Sequence, residues 1–309
     1  MNVYMIIGAS GCIGYETAKW LLKNYHHDRV VTVSRGMTEF PGTLKNASHE
    51  TGDISSIDSI KTIIEKNKAT HILHCAALRT TECNADPDKA RKVNVGGTAN
   101  VINAAMQCDS VRDFTFISTA AVYNQTEKRE KDVTEEAETS KYAPYVATKL
   151  ESEEMIKEYS KESTISFTSL RPQILFGPSR SLSGSTAGIT KCIKSAALNQ
   201  SYSVPFSGRY SFHFTGNIGE IIGRVLTKPK NYSFEIFNLP GSSHDVLEFI
   251  NFANSQNNES PQISQTENIY PFAISISHDK YIKFFGEISI TPLNEALAAT
   301  FRHFQNNRF

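Results

Sequence analysis

Two hydroxyls and an amine stand at spacings that suit proton transfer. Tyr145 and Lys149, in the stretch YVATK, are four apart at the start of a helical pattern, so both side chains project from one face. A phenol with an ordinary pKa near ~10 is a poor base at neutral pH, and a neighbouring ammonium stabilises its anion and lowers that pKa. Thr119, in STAAVY after an apolar strand pattern, adds a hydroxyl that can share a substrate oxygen with Tyr145 and hold a carbonyl for hydride attack. A Tyr-x-x-x-Lys pair by itself is common on helix surfaces. Its ordered occurrence behind a glycine loop and a strand-end threonine points to redox chemistry at a carbonyl.

The glycine loop is GASGCIG, with Gly8, Gly11 and Gly14 directly after the apolar run VYMII. Glycines at every third position between a strand and a helix let the backbone turn, approach a pyrophosphate and pack the helix, whose N-terminus then faces the phosphates. The alternative for such a loop is a tight strand-helix turn without a ligand. The next strand pattern, RVVTVSRG, ends at Ser34, where an NAD site would place a carboxylate on the ribose 2′-hydroxyl. Ser34 and Arg35 instead offer a hydroxyl and a guanidinium suited to a 2′-phosphate. The expected cofactor is therefore NADP(H), the alternative being that Arg35 is an ordinary surface residue.

The elements that must position these residues alternate along the chain. Strand patterns VYMII, RVVTVS, HILHCAA, FTFIS and STISFTSLRP are interleaved with helical periodicities through Trp20, over Ile57 to Ile64, Val93 to Met106 and Tyr145 to Tyr159. This predicts an α/β fold with a Rossmann-type, doubly wound parallel sheet. The dinucleotide-binding domain is expected over 1–171, with a returning strand near 233–239 from SFEIFNLP. Segments 172–232 and 240–309, which include the Ser/Gly-rich SRSLSGSTAG and the polar NFANSQNNESPQISQTEN, are expected to form a smaller, mostly C-terminal substrate-binding subdomain. The charged run EKREKDVTEEAETSK reads as a solvated loop, and His26-His27 has no third ligand nearby and takes no role.

The chain has 309 residues, with 32 Lys and Arg balancing 32 Asp and Glu. No global field then attracts nucleic acid or an anionic membrane, so a small-molecule partner is expected. Cys12, Cys75, Cys83, Cys108 and Cys192 are odd in number, with no C-x-x-C pair, which speaks against a disulfide framework and a zinc site. No metal is expected. Reduced thiols, no signal pattern and no membrane-length apolar run suggest a soluble, cytoplasmic protein.

Together, GASGCIG, GDIS at 52–55, HCAA at 74–77, VNVGGT at 93–98, STAAVY at 118–123, YVATK, LRPQILFGP at 170–178 and FNLPG resemble the extended short-chain dehydrogenase/reductases over nearly the whole chain. That family holds nucleotide-sugar epimerases, dehydratases and ketoreductases. The resemblance implies that Gly8, Ser10, Gly11, Cys12, Ile13, Gly14 and Ser118 line the cofactor, that Asp53 and Ile54 contact its adenine, and that Cys75, Ala76 and Ala77 follow the fourth strand beside it. Asn94 is implied to line or position the site, and Pro172 to lie by the nicotinamide. Thr119, Tyr145 and Lys149 take the catalytic roles, with Tyr145 and Lys149 also touching the cofactor. Arg79, Thr119 and Arg209 face the substrate, although TGNI after Arg209 departs from the usual acidic segment.

Dehydratases of this family carry an Asp-Glu pair after the threonine, where this chain has Ala120 and Ala121, and the fucose-synthase type needs a cysteine where Ala121 stands. The resemblance therefore implies an NADPH-dependent ketoreductase that reduces C4 of a nucleotide-activated 4-keto-6-deoxy sugar, with Tyr145 as proton donor. The alternatives are an NAD(P)-dependent nucleotide-sugar 4-epimerase, a reductase of a non-sugar carbonyl, or a non-catalytic dinucleotide sensor. Family habit also implies a homodimer through the helices of Val93–Met106 and Tyr145–Tyr159.

Overall fold

A computed structural model describes residues 1–36, 44–124, 132–256 and 262–307. Residues 125–131 of the expected charged loop, and 257–261 of the polar C-terminal stretch, lie outside the described residues. The chain divides into two compact units, one of Met1–Val122, Ser140–Arg171 and Gly219–Phe237, the other of Tyr123–Thr139, Pro172–Ile218 and Asn238–Phe309.

The first unit is built on β1 (Val3–Ile7), β2 (Arg29–Ser34), β3 (Ser48–Thr51), β4 (His71–His74), β5 (Asp113–Ile117) and β6 (Ser166–Arg171). With a later strand, β10 (Phe234–Asn238), they form a seven-stranded sheet ordered β10-β6-β5-β4-β1-β2-β3. The pairs from β3 through to β6 are all parallel. Every residue of β1 and β5 is buried, as expected of parallel strands covered on both faces. Strand addition reverses at β1, which lies between β2 and β4, so a crevice opens at the carboxyl ends of these strands. The edge strand β3 reads SHET, mostly exposed and polar, so hydrophobic patterning does not reveal it.

Among the described residues six α-helices precede β6: α1 (Cys12–Asn24), α2 (Ile57–Asn67), α3 (Thr80–Ala85), α4 (Pro87–Arg91), α5 (Gly97–Met106) and α6 (Pro144–Tyr159). Apolar residues at helical spacing, Ile60, Ile63 and Ile64 of α2, Val101, Ile102 and Ala105 of α5 and Ile156 of α6, join Met5, Val31, Ile72, Phe114 and Phe167 of the sheet in one core. Between α4 and α5 the chain makes a single π turn, Lys92–Gly96.

In the second unit, β7 (Ile174–Phe176), β9 (Arg209–Phe214) and β11 (Ser242–Asp245) form one sheet, and β8 (Tyr202–Val204) pairs with β12 (Ile263–Gln265). Helices α7 (Gly188–Ala197), α9 (Val246–Ser255) and α11 (Leu293–Asn306) enclose an aromatic core that includes Phe176, Phe206, Tyr210, Phe212 and Phe249, and α10 (Asp279–Phe285) adds one more short helix.

Two segments fall in different units from those expected. Segment 123–139 groups with the second unit because Tyr123 donates to the Asn238 side chain at 2.9 Å, while Val133 and Glu135 accept from Asn238 at 3.1 and 2.7 Å. Helix α8 (Thr215–Thr227) belongs from Gly219 onwards to the first unit. Its glycines, one turn apart in GEIIG, let it lie against α1: a Cβ on Gly219 would stand 2.4 Å from the Glu16 carbonyl oxygen, and one on Gly223 2.1 Å from the Trp20 ring.

An Ala in place of Gly within a helix ordinarily stabilises by roughly 0.5–1 kcal/mol. At Gly219 the nearest atom is backbone and cannot yield, so Gly219→Ala is expected to reverse the sign and destabilise by about 1–3 kcal/mol. Urea unfolding of the two proteins checks this, and a stabilised variant would show that α8 does not press on α1.

Candidate active site

The turn from β1 to α1 is sterically determined. Gly8 has φ +93°, and a Cβ there would lie 2.7 Å from the Ala76 nitrogen; one on Gly14 would lie 2.8 Å from the Ala9 Cα. Gly11 differs, because its Cβ would meet only the Gly8 oxygen, at 3.4 Å. The space beside it is not taken up by the protein, and Gly11 caps α1 with no side-chain bond to the helix N-terminus. An open cradle facing a helix N-terminus fits a dinucleotide pyrophosphate. Ser10 is exposed, and Cys12 and Ile13 open α1.

At the end of β2 the Ser34 hydroxyl donates to the Gly36 carbonyl at 2.7 Å, and Arg35 is exposed. Gly52 donates to the Ser34 carbonyl at 2.9 Å, which sets Asp53 next to this corner. Asp53 accepts from the Ser55 backbone at 2.9 Å, and this bond, helped by the charge of Arg35, holds its carboxyl below the usual range. Ile54 is buried, and Gly97 of α5 packs so closely on it that a Cβ there would lie 2.7 Å from its Cδ1.

Helix α6 starts with Pro144 at its first turn, which suits its fixed φ and missing N–H. Tyr145 follows, half-buried. Lys149 is only 3% exposed; its Nζ donates to the Ile117 carbonyl at 2.6 Å and lies 4.6 Å from the Phe116 ring centroid and 5.8 Å from that of Tyr145. Burial brings its pKa down from 10.5 to about 8, partly offset by Cys75, Cys83 and Glu153. Thr119 follows β5, and its Oγ1 accepts from the Ala121 N–H at 3.2 Å, which keeps the hydroxyl proton for another acceptor. The neighbouring Ser118 is buried, and its Oγ has no hydrogen-bond partner. An unmatched polar atom at the end of β5 is a second mark of a site that takes a polar ligand.

Asn94 sits in the π turn with its amide fully committed. Its Oδ1 accepts from Leu78 N at 2.7 Å, and its Nδ2 donates to the Leu78 carbonyl and the Thr148 hydroxyl, each at 3.1 Å. The side chain therefore ties the segment after β4 to the residue before Lys149, which suits a positioning role. Cys75, Ala76 and Ala77 lie half-buried on that segment, and burial pushes the Cys75 thiol pKa up. Arg79 caps α3 from an exposed position and pairs with Glu82 at 3.5 Å.

In the second unit Pro172 is buried directly after β6. Arg209, at the start of β9, donates to the Ser243 carbonyl at 3.0 Å and pairs with Glu248 at 3.4 Å. Patterning passed over two groups nearby. Ser179 Oγ and Arg180 Nε are buried without hydrogen-bond partners in the loop before α7. The signal for them was charge: no Asp or Glu occurs between Glu162 and Glu220, whereas Arg171, Arg180, Lys191, Lys194 and Arg209 do. Also missed was Glu153, one turn after Lys149, which forms a buried ion pair with Arg171 at 2.5 Å.

The family model described as NAD dependent epimerase/dehydratase family matches residues 4–239. The chain is 32% identical over 156 residues to a UDP-glucose 4-epimerase of Streptomyces lividans, covering 50% of this chain and 46% of that protein. It is 29% identical over 182 residues to a decarboxylating sterol-4-alpha-carboxylate 3-dehydrogenase of Saccharomyces cerevisiae, covering 56% and 51%. The chain thus spans about half the length of these curated relatives. Among solved structures, a monomeric L-threonine 3-dehydrogenase of metagenomic origin superposes with a TM-score of 0.87 at 20% identity, over 99% of this chain and 100% of that one. The UDP-glucose 4-epimerase of Thermotoga maritima, solved with UDP-glucose, gives 0.87 at 17% identity, over 99% and 100%. At these identities the likeness is one of fold. No helix among the described residues is long and apolar enough to cross a membrane.

Burying Lys149 has a cost that depends on pH. Its pKa is lowered in the fold, so below about 8 both states are protonated and the penalty is complete; between about 8 and 10.5 the unfolded chain binds more protons and stability rises with pH. The gap corresponds to roughly 3 kcal/mol, from which the lost bond to Ile117 subtracts about 1. Lys149→Met is therefore expected to be more stable than the natural protein at pH 7, by on the order of 2 kcal/mol, and to lose that advantage near pH 10. Urea unfolding at both pH values checks it, and a less stable variant at pH 7 would contradict the desolvation argument.

Proposed function

The chain belongs to the NAD dependent epimerase/dehydratase family, and within it we propose an NADPH-dependent ketoreductase acting on a nucleotide-activated 4-keto-6-deoxy sugar. The observation that carries this reading is the buried Lys149 ammonium beside the Tyr145 ring, with the Thr119 hydroxyl proton kept for an external acceptor. The glycine cradle and the carboxyl ends of β1, β4 and β5 fit the cofactor, which, when bound and reduced, supplies the hydride to C4. Thr119 then donates a hydrogen bond to the substrate carbonyl oxygen, Tyr145 delivers the proton to that oxygen, and Lys149 lowers the cost of the phenolate left behind. Ala120 and Ala121 carry no acid or base to eliminate water, so dehydration has no agent at this position.

Ser34 and Arg35, without an acid at the end of β2, support NADP(H) over NAD(H). The acid-free stretch supports a phosphorylated substrate. Arg79 pairs with Glu82 and Arg209 with Glu248, so a phosphate arriving at either arginine would compete with its carboxylate. A second reading, a nucleotide-sugar 4-epimerase, is favoured by the likeness to UDP-glucose 4-epimerases. NADPH oxidation against a panel of nucleotide-activated 4-keto sugars and of non-sugar ketones separates the readings. Turnover with the former supports the reductase, turnover with the latter alone moves the substrate class, and C4 inversion without net oxidation of cofactor establishes the epimerase.

Two variants test the roles. Tyr145→Phe keeps the ring and is expected to retain cofactor affinity while turnover falls by about 10²–10⁴; Thr119→Ala is expected to cost less. Near-normal turnover in Tyr145→Phe would reduce the site to dinucleotide binding. NADPH is expected to bind about tenfold or more tighter than NADH, with Arg35→Ala removing most of that preference, and equal affinities in a titration would reject the cofactor assignment.

A further inference from the structure

Lys149 and Glu153 are one turn apart on α6 and leave the same face of the helix. That face lies on β5 and β6. Lys149 stands over Phe116, and Phe116 is paired in register with Ser169 of β6. Ser169 donates to Glu153 Oε1 at 3.0 Å, while Arg171, two residues on along the same strand, donates from Nε to Oε1 at 3.0 Å and from Nη2 to Oε2 at 2.5 Å. The Glu153 and Arg171 side chains are both 4% exposed. Fork geometry and full burial fix the carboxylate to β6 in one orientation.

The groups facing Lys149 are Cys75 and His74 at the end of β4, Cys83 of α3, Phe116 and the Ile117 carbonyl of β5, and Tyr145 and Glu153 of α6. Burial pushes both thiols up and His74 down to about 3, so these three stay neutral near pH 7. Glu153 is the carboxylate of the set. We propose that Glu153 is a positioning residue for the proton donor: clamped by Arg171 and Ser169, it fixes the turn of α6 that carries Lys149 and supplies the negative charge that keeps the buried ammonium protonated beside Tyr145. The inference rests on the reading that Tyr145 and Lys149 move the proton, but its central test needs neither cofactor nor substrate.

The experiment is an NMR titration of ¹⁵N-labelled lysine side chains in the protein alone, for the natural sequence, Glu153→Gln, and the double variant Glu153→Gln/Arg171→Met. The single variant removes the carboxylate from a buried arginine and can fail to fold; the double variant removes both charges together, a change that buried pairs commonly tolerate. Lys149 titrates near 8 in the natural protein. Loss of the Glu153 charge is expected to lower the midpoint by up to about one pH unit in the single variant, an approximately fivefold smaller protonated fraction at pH 8, and by less in the double variant, where the opposite charge of Arg171 goes with it. The alkaline limb of kcat should move down with it, with KM for the substrate changing less. An unchanged Lys149 midpoint in the folded double variant would overturn the proposal and leave the pair a purely structural staple. A shifted midpoint in a protein that reduces no carbonyl would sustain the positioning role and reject the function proposed above.

Discussion

An ammonium kept out of water is the constraint around which the first unit is arranged. A lysine buried without a partner is driven toward its neutral form, since desolvation penalises the charged one. Lys149 escapes this only in part, through one short bond to the Ile117 carbonyl, the faces of two aromatic rings and the field of Glu153. These come from the end of β5, the interior of β5 and the turns of α6 on either side of Lys149. The helix must therefore sit in one register on the sheet, because a slip of one residue would take Lys149 off its carbonyl.

The rest of the packing supplies that register. Asn94 ties the chain after β4 to Thr148, and Arg171 and Ser169 tie Glu153 to β6, so α6 is held on both flanks of Lys149. The π turn containing Asn94 inserts one residue into a helix that otherwise runs from Pro87 to Met106, which is how a polar side chain reaches inward there without ending the helix. On the far side of β1, glycines at 8 and 14 allow α1 and the segment after β4 to approach at backbone distance. The unmatched Ser118 Oγ and His74 Nδ1 are unfavourable groups that this frame retains.

The sequence was legible where a physical requirement has few solutions. A backbone at φ +93° touching another backbone admits glycine alone, and a Tyr-Lys pair four apart on a helix start reads directly as shared orientation, so GASGCIG and YVATK carried their meaning on the surface. Continuous apolar runs marked the buried parallel strands for the same reason. The strand SHET was not legible, because an exposed edge strand needs no apolar pattern. Nor was Glu153 as a clamp, nor were the partners of Asn94, whose positioning role only the resemblance implied: these contacts join residues 16 or more apart, and nothing in a linear pattern reports that distance. The division of the chain was misplaced at 123–139 and 219–232 for a similar reason, since a single asparagine hub and two helix glycines decided it.

The same reasoning explains why chemistry can be read here more finely than substrate. Hydride and proton transfer to a carbonyl, the chemistry proposed above, would demand one arrangement of phenol, ammonium and hydroxyl, and the first unit places Tyr145 and Lys149 on a helix and Thr119 after a strand. On the function proposed above, recognition of the rest of a substrate would fall to loops, where many sequences place a donor equally well. What survives in such a segment is the sign of its charge. Between Glu162 and Glu220 the chain carries no acid in more than fifty positions, an asymmetry that would suit the anionic ligand proposed above and says nothing of the shape that ligand must have.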